Sequence, residues 1–552
     1  MNIAARLTEM ATQRPWQRAI VAPDGHDRWG RRKYTQLTFA QLDEESNRLA
    51  NGFVNSGVQP GQKLVLFVPF SMEFITLTFA LFKVGVTIVL IDPGMGRNNV
   101  FRCLEEVQPD GFVGIPKVHL GRWLFASRFP KARLNFSVGS WLPGVTATYH
   151  RLREAGPKFT TKEMSATDSA AIIFTSGSTG PPKGVHYEHG MFNAQVDMIS
   201  RHYGIEAGEV DLPGFPLFGL FNAAMGVTTV IPDMDATKPA FVDPRNIIEA
   251  IRDQGVTQAF GSPAFWNRVG RYCEEHGITF PSLKRALSAG GPVPNHVLQR
   301  MTKILSRPNA DLFTPYGATE SLPVASIGAR QVLNETASAT RQGAGTCVGT
   351  VFEGVNVRII EATSDPIDSI ADANELPTGQ IGEIIVKSPS VTREYYQRPE
   401  ATRLAKIPDG AGFWHRIGDV GYLDDAGKLW FCGRKAHIVT TPSARMYSVC
   451  CEAIYEGHAD VFRAALVGVG EAGLQEPVLI VEPEAGRFPE TATDVNRFRQ
   501  QLLDIGQASE LTKSIEKILF HRAFPVDTRH NVKINREALS EWAGRELTAG
   551  RA

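Results

Sequence analysis

Residues 174–184 read Phe-Thr-Ser-Gly-Ser-Thr-Gly-Pro-Pro-Lys-Gly, which packs four hydroxyl side chains and three glycines into one short string at the end of an apolar run. That composition suits a phosphate-binding loop. Gly177, Gly180 and Gly184 let backbone N–H groups turn toward phosphate oxygens, Thr175, Ser176, Ser178 and Thr179 add hydroxyl donors, and Lys183 brings positive charge. Lys183 is followed by Gly184 and not by Ser or Thr, so this is not the GxxxxGK[ST] loop. An ordinary Gly/Ser surface loop is the alternative, and the apolar strand that leads into the string weighs against it.

A loop of this kind needs a rigid element behind it, and residues 170–174 (Ala-Ala-Ile-Ile-Phe) read as a buried strand. Upstream, Phe39, Leu42, Leu49, Phe53 and Val54 recur at helical spacing over residues 39–55. A strand at 63–68, a helix at 72–84 and a strand at 86–91 continue the alternation of parallel sheets covered by helices. The same rhythm returns at 256–260 and 285–288, so an α/β body is expected to extend past residue 330. Residues 364–379, rich in Asp, Pro and Thr, read as a loop, and 381–386 with 428–431 read as antiparallel β structure. From about residue 436 onward, apolar runs at 462–467 and 477–481 and a helix near 494–504 predict a small α+β domain. The expected division is 1–435 and 436–552.

Bulk properties narrow the function. A chain of 552 residues is too long for one core. Lys+Arg and Asp+Glu both number 58, which removes the case for a nucleic-acid surface. With 43% hydrophobic and 21% charged residues the chain reads as globular. Six scattered cysteines show no metal spacing and fit a reducing cytoplasm. Arg6, Glu9 and Arg14 interrupt the start, so no signal peptide is expected; Pro69, Glu73, Lys83 and Gly85 break the most apolar region, so no transmembrane segment is expected.

Residues 174–184 resemble the phosphate loop of the adenylate-forming superfamily of acyl-CoA synthetases, peptide-synthetase adenylation domains and luciferases, and the resemblance covers nearly the whole chain. It implies ATP and Mg²⁺ as cofactors, an acyl-adenylate intermediate and a mobile C-terminal domain. Residues 288–292 (Ser-Ala-Gly-Gly-Pro) resemble the family's adenine-side loop, which places Gly290, Gly291 and Pro292 beside the base. Residues 316–320 (Tyr-Gly-Ala-Thr-Glu) match the segment where Tyr stacks on adenine, Thr binds phosphate and Glu holds Mg²⁺; the resemblance gives those roles to Tyr316, Thr319 and Glu320, with Gly317 between them. Asp419 and Arg434 fall in segments similar to the ribose-binding region. Near the end, residues 527–536 stand where the family carries a mobile lysine that reaches the acyl phosphate, and Lys533 inherits that role, although Asn531 and Val532 replace the usual single glycine.

Three departures narrow the resemblance. Ala436 stands where acyl-CoA synthetases carry a charged hinge residue, Pro442-Ser443 replaces the Ser-Gly turn that borders the pantetheine tunnel, and Gly219 replaces a histidine beside the acyl carbonyl. The chain lacks the features expected for coenzyme A, and something bulkier near the α-carbon is expected to fit. With residues 181–189, 343–349 and 529–531, these features are similar to the β-lactone synthetases of bacterial long-chain olefin biosynthesis. That resemblance implies a long-chain 2-alkyl-3-hydroxy acid as substrate, intramolecular attack by its 3-hydroxyl, and other enzymes of the olefin pathway as partners. His186, His189, His415 and His437 lie near motif segments, but none is assigned as the base. Cys347 reads as a packing residue. A long-chain fatty acyl-CoA ligase and a non-catalytic adenylate-fold binding protein are the alternatives.

Overall fold

The computed structural model describes residues 1–175, 181–526 and 534–550. Among the described residues, two large sheets, a three-stranded sheet and a two-stranded ribbon (Val439–Thr440 with Arg445–Met446) organise it. The first sheet runs Ala147–Thr148, Leu134–Ser137, Gly111–Gly114, Lys63–Phe67, Thr87–Ile91, Ser169–Thr175, Lys183–Glu188. All neighbours are parallel except the last pair, which is antiparallel. Leu64, Val65, Ile88, Val89, Ala171 and Ile172 are fully buried, as strands covered on both faces require.

The predicted helices form as the pattern dictates. Phe39–Asn55 opens with a capping box on Thr38 and Gln41. Met72–Val84 is capped by Ser71 and stopped by Gly85 at φ +84°, a left-handed conformation that costs glycine nothing. Nearly its whole circumference is buried, which accounts for the apolar run. Lys83, which broke that run, is completely buried and survives there because Asp43 Oδ1 lies 2.7 Å and Asn47 Oδ1 2.6 Å from its amine. Among the described residues no helix is long and apolar enough to cross a membrane.

The second large sheet begins with the hairpin Arg18–His26 and Arg32–Thr38, which the polar run between its strands concealed in the sequence. It continues in parallel through Thr228–Val230, Val210–Pro213, Gln258–Phe260, Arg285–Leu287 and Asp311–Ala318. There it changes character: Thr319 and Glu320 alone turn the chain back into Ser321–Gly328. Antiparallel pairing then carries the sheet through Thr346–Val351, Lys428–Arg434, Gly412–Leu423, Gly382–Lys387 and Asn356–Ile360. The α/β alternation therefore stops at Ala318, earlier than the sequence pattern placed it. A two-residue connection can only join antiparallel strands, so the site motif at 316–320 is itself the switch.

Val461–Val469, Glu476–Pro483 and Lys517–Phe520 form the small third sheet, with helices Ala492–Gln507 and Arg536–Thr548 beside it. Buried Glu452 ties this unit together: it accepts from the Leu466 backbone at 2.8 Å and from Arg536 Nη2 at 2.7 Å. At the junction with the body, Glu383 is fully buried and answers two cations, Arg416 and Lys435, each at 2.7 Å.

Candidate active site

The parallel strands of both large sheets end at one cleft, where open α/β sheets characteristically bind ligands. Ser169–Thr175 leads to the phosphate-type string; Arg285–Leu287 leads to residues 288–292; Asp311–Ala318 delivers Tyr316. A cavity of about 2000 Å³ joins them and is lined by Lys183, Gly290, Gly291, Pro292, Tyr316, Gly317, Thr319, Glu320, Asp419 and Arg434. Gly290 sits at φ +98°, where a side chain would be strained. Ser176, Gly177, Ser178, Thr179, Gly180 and Lys533 lie outside the described residues, as does the side chain of Thr175.

Strand register builds the first half of the site. Asp419 and Arg434 are directly opposed across an antiparallel pair, and their side chains meet at 2.8 Å. Tyr316 Oη donates to Asp419 Oδ2 at 2.6 Å. Burial, then the Asp419 charge, pushes the Tyr316 phenol well above its usual range, so it stays a donor. Asp419 in turn raises the Arg434 guanidinium. A carboxylate has about four lone-pair positions, so Asp419 can serve Tyr316, Arg434 and a ligand's hydroxyls together.

The second half is the Thr319–Glu320 turn, which three contacts hold. The Tyr187 hydroxyl donates to the Thr319 carbonyl, the Thr392 N–H donates to the Glu320 carbonyl at 3.0 Å, and Tyr395 Oη donates to Glu320 Oε1 at 2.8 Å. Lys183 Nζ lies 4.9 Å above the Tyr395 ring, so one tyrosine braces both Lys183 and the turn carboxylate. Behind them, buried Lys406 donates to the Thr392 carbonyl; desolvation pushes its amine down to about 7, with Glu320 opposing the shift. Tyr187, Tyr395 and Lys406 escaped sequence reasoning, since nothing in their spacing marks them.

The histidines resolve by position. His186 lies between Glu394 at 2.9 Å and Ser169 Oγ at 2.8 Å. His189 accepts from the Ile3 N–H, and burial pushes it down to about 4. His415 is buried against the Ala405 carbonyl, and desolvation with Lys406 drives it well below its usual value. Of these four, His437 lines the cavity; burial first, then Arg536, pushes it down to about 4, with Glu537 at 3.5 Å. Burial pushes the Cys347 thiol up to about 11, consistent with packing and not nucleophilic chemistry.

The room left by Gly219 is not vacant. A Cβ there would stand 2.9 Å from Phe70 Cζ, so the Phe70 ring occupies the space a larger residue would need. The adjoining cavity wall is aromatic, with Phe74, Phe218, Phe221 and Phe260 among its residues. Among the described residues no group of three or more His, Cys, Asp or Glu could hold a metal ion. Glu320 is the acid the turn presents to the cavity, and a single carboxylate suits Mg²⁺, which keeps most of its shell as phosphate and water oxygens.

Residues 7–396 match the family described as AMP-binding enzyme. The chain is 44% identical to the olefin beta-lactone synthetase of Stenotrophomonas maltophilia (strain K279a), over 99% of this chain and 98% of that one. It is 43% identical to the olefin beta-lactone synthetase of Xanthomonas campestris pv. campestris, with the same coverage. The crystal structure of the anthranilate CoA ligase AuaEII in complex with anthranoyl-AMP superposes with a TM-score of 0.79 at 18% identity, covering 100% of this chain and 98% of that one.

Proposed function

This chain belongs to the AMP-binding enzyme family, and from that premise we propose that it activates a long-chain 2-alkyl-3-hydroxy acid with ATP and closes the acyl-adenylate to a β-lactone. The observation that carries this reading is the 44% and 43% identity, nearly end to end, with two proteins named olefin beta-lactone synthetases. The substrate carboxylate attacks the α-phosphorus and pyrophosphate leaves. The 3-hydroxyl oxygen then bonds to the acyl carbon, the acyl–phosphate oxygen bond breaks, AMP departs and the hydroxyl proton is lost. Holding hydroxyl and carbonyl together makes closure intramolecular, with a large entropic advantage, and no second substrate is required.

The roles are those the family resemblance implies, and the contacts of Tyr316, Asp419, Arg434 and Glu320 support them. Asp419 accepts the ribose hydroxyls, held in place by Tyr316 and Arg434; Tyr316 also offers its ring to adenine beside Gly290, Gly291 and Pro292. Residues 175–180 and Lys183 take the β- and γ-phosphates, and Thr319 takes phosphate at the turn. Glu320 would hold Mg²⁺, which neutralises phosphate charge when bound. Residues 1–435 form the adenylation body and 436–552 the mobile domain that brings Lys533. Buried free thiols at all six cysteines fit a reducing cytoplasm. Other olefin-pathway enzymes are the partners that the resemblance implies.

A 2-alkyl-3-hydroxy acid, ATP and Mg²⁺ should therefore suffice for repeated turnover to lactone and AMP without coenzyme A. A plain fatty acid, lacking the attacking hydroxyl, should stall as tightly held acyl-AMP and inhibit. Mass spectrometry and proton NMR of extracted products, with and without coenzyme A, make the test. Thioester formation with no lactone would replace this reading by that of an acyl-CoA ligase.

Glu320→Gln keeps the shape of the turn and removes its charge. The Mg²⁺ concentration for half-maximal pyrophosphate release should rise by about 10-fold or more, with the circular dichroism unchanged. An unchanged titration would assign the metal to another ligand.

A further inference from the structure

We infer that the face built on the helix Pro116–Leu124 and the loop 138–146 docks on an anionic lipid surface. Soluble proteins scatter exposed apolar side chains singly, whereas here four large ones are gathered. Leu120, Trp123 and Leu124 project from one helix at 54%, 62% and 63% exposure, and Trp141 of the loop is 61% exposed. Two close approaches hold the loop against the helix. Arg122 Nη2 donates to the Gly144 carbonyl at 3.0 Å, and Gly139 lies so near Pro116 that a Cβ would stand 3.1 Å from its ring. The four side chains therefore share one surface.

Charge selects the partner. No Asp or Glu occurs from Gly111 to Arg153, although the whole chain has as many acids as bases. Lys117, Arg128, Lys131 and Arg133 are exposed in this stretch. Glu105 approaches from the preceding helix and is answered by Arg128 at 3.2 Å, so the balance stays positive. Tryptophan and leucine framed by an excess of lysine and arginine is the pattern of a surface seated at the headgroups of an anionic bilayer.

The same helix is a wall of the active-site cavity. Ile115 and Val118 line the cavity from within, while Leu120, Trp123 and Leu124 face outward. An acid with two long chains partitions into membranes, so docking here sets the substrate's reservoir against the cavity wall. That consequence rests on the proposed function, but the docking does not.

Sedimentation of the full chain with vesicles separates the two. Phosphatidylglycerol-containing vesicles should pull the protein down, pure phosphatidylcholine vesicles should not, and raised salt should release it. The double variant Trp123→Ser, Leu124→Ser should lose vesicle binding by about tenfold or more, and Lys117→Glu with Lys131→Glu should lose it as well. Both should keep the parent thermal melt and the parent turnover on a short-chain, water-soluble hydroxy acid. Equal sedimentation with both vesicle types, or none with either, would overturn the inference. A fall in oligomeric state for Trp123→Ser, Leu124→Ser in vesicle-free ultracentrifugation would also overturn it and assign the face to a second copy of the chain.

Discussion

Replacing Lys533 by alanine should cut carboxylate-dependent pyrophosphate exchange by about 100- to 1000-fold, the usual cost of removing one preorganised group aimed at developing transition-state charge. Lys533 lies outside the described residues, but its neighbours on both sides are informative. Val526 and Ile534 pair as an antiparallel bridge, which pins the two ends of the intervening segment together. Ile534 and Arg536, which follow Lys533 in the chain, both line the active-site cavity. A lysine charge brought to the reacting groups would offset the negative charge shared by carboxylate and α-phosphate as they join. Ring closure from a preformed acyl-adenylate should suffer much less, because the phosphate is then only a leaving group. Exchange assays with the acid and single-turnover assays with synthetic acyl-AMP would read the two halves separately. Exchange near the parent level would remove Lys533 from the reaction.

Asp419→Ala should raise the KM for ATP by about 100-fold, and Asp419→Asn by somewhat less, because a charged acceptor of two ribose hydroxyls is worth about twice a neutral one. The alanine variant carries a second penalty. It strands the half-buried Tyr316 hydroxyl, whose donor bond to Asp419 is 2.6 Å, and withdraws the partner of Arg434. A stranded hydroxyl costs up to about 1–3 kcal/mol, less where cavity water reaches it, so a slightly lower urea midpoint should accompany the kinetic loss. The asparagine variant keeps an oxygen for Tyr316 and should fold close to the parent. ATP saturation curves and urea melts on both variants separate ligand binding from packing. An unchanged KM in both would mean that ribose is held elsewhere.

Much of this site was legible in the sequence because its chemistry is carried by contiguous strings. Residues 174–184 suggest a phosphate loop by hydroxyl and glycine content together with the apolar run before them, and that run declares the strand that leads to it. Helices at 39–55 and 72–84 and the strand at 63–68, which ends at Phe67 in the structure, were equally visible, since burial of one face or of all faces leaves a period or an unbroken run. Asp419 and Arg434 could be assigned to ribose only through resemblance to a family; taken by themselves they were a turn residue and a surface charge.

What only the tertiary structure decided is which side chains meet. Asp419 faces Arg434 because of strand register, and register depends on every residue of both strands at once. Tyr395 reaches Glu320, and Lys183 reaches Tyr395, across chain separations that leave no spacing to read. Lys406 behind the turn and Phe70 in the place opened by Gly219 are likewise facts of packing. The exposed face on Pro116–Leu124 shows the same division: the absence of acid was written in the chain, but only the fold brought the loop that carries Trp141 against the helix that carries Trp123 and left both side chains exposed. Short-range pattern specifies elements and local chemistry; contact between distant residues is determined by the whole chain's packing, which no local pattern encodes.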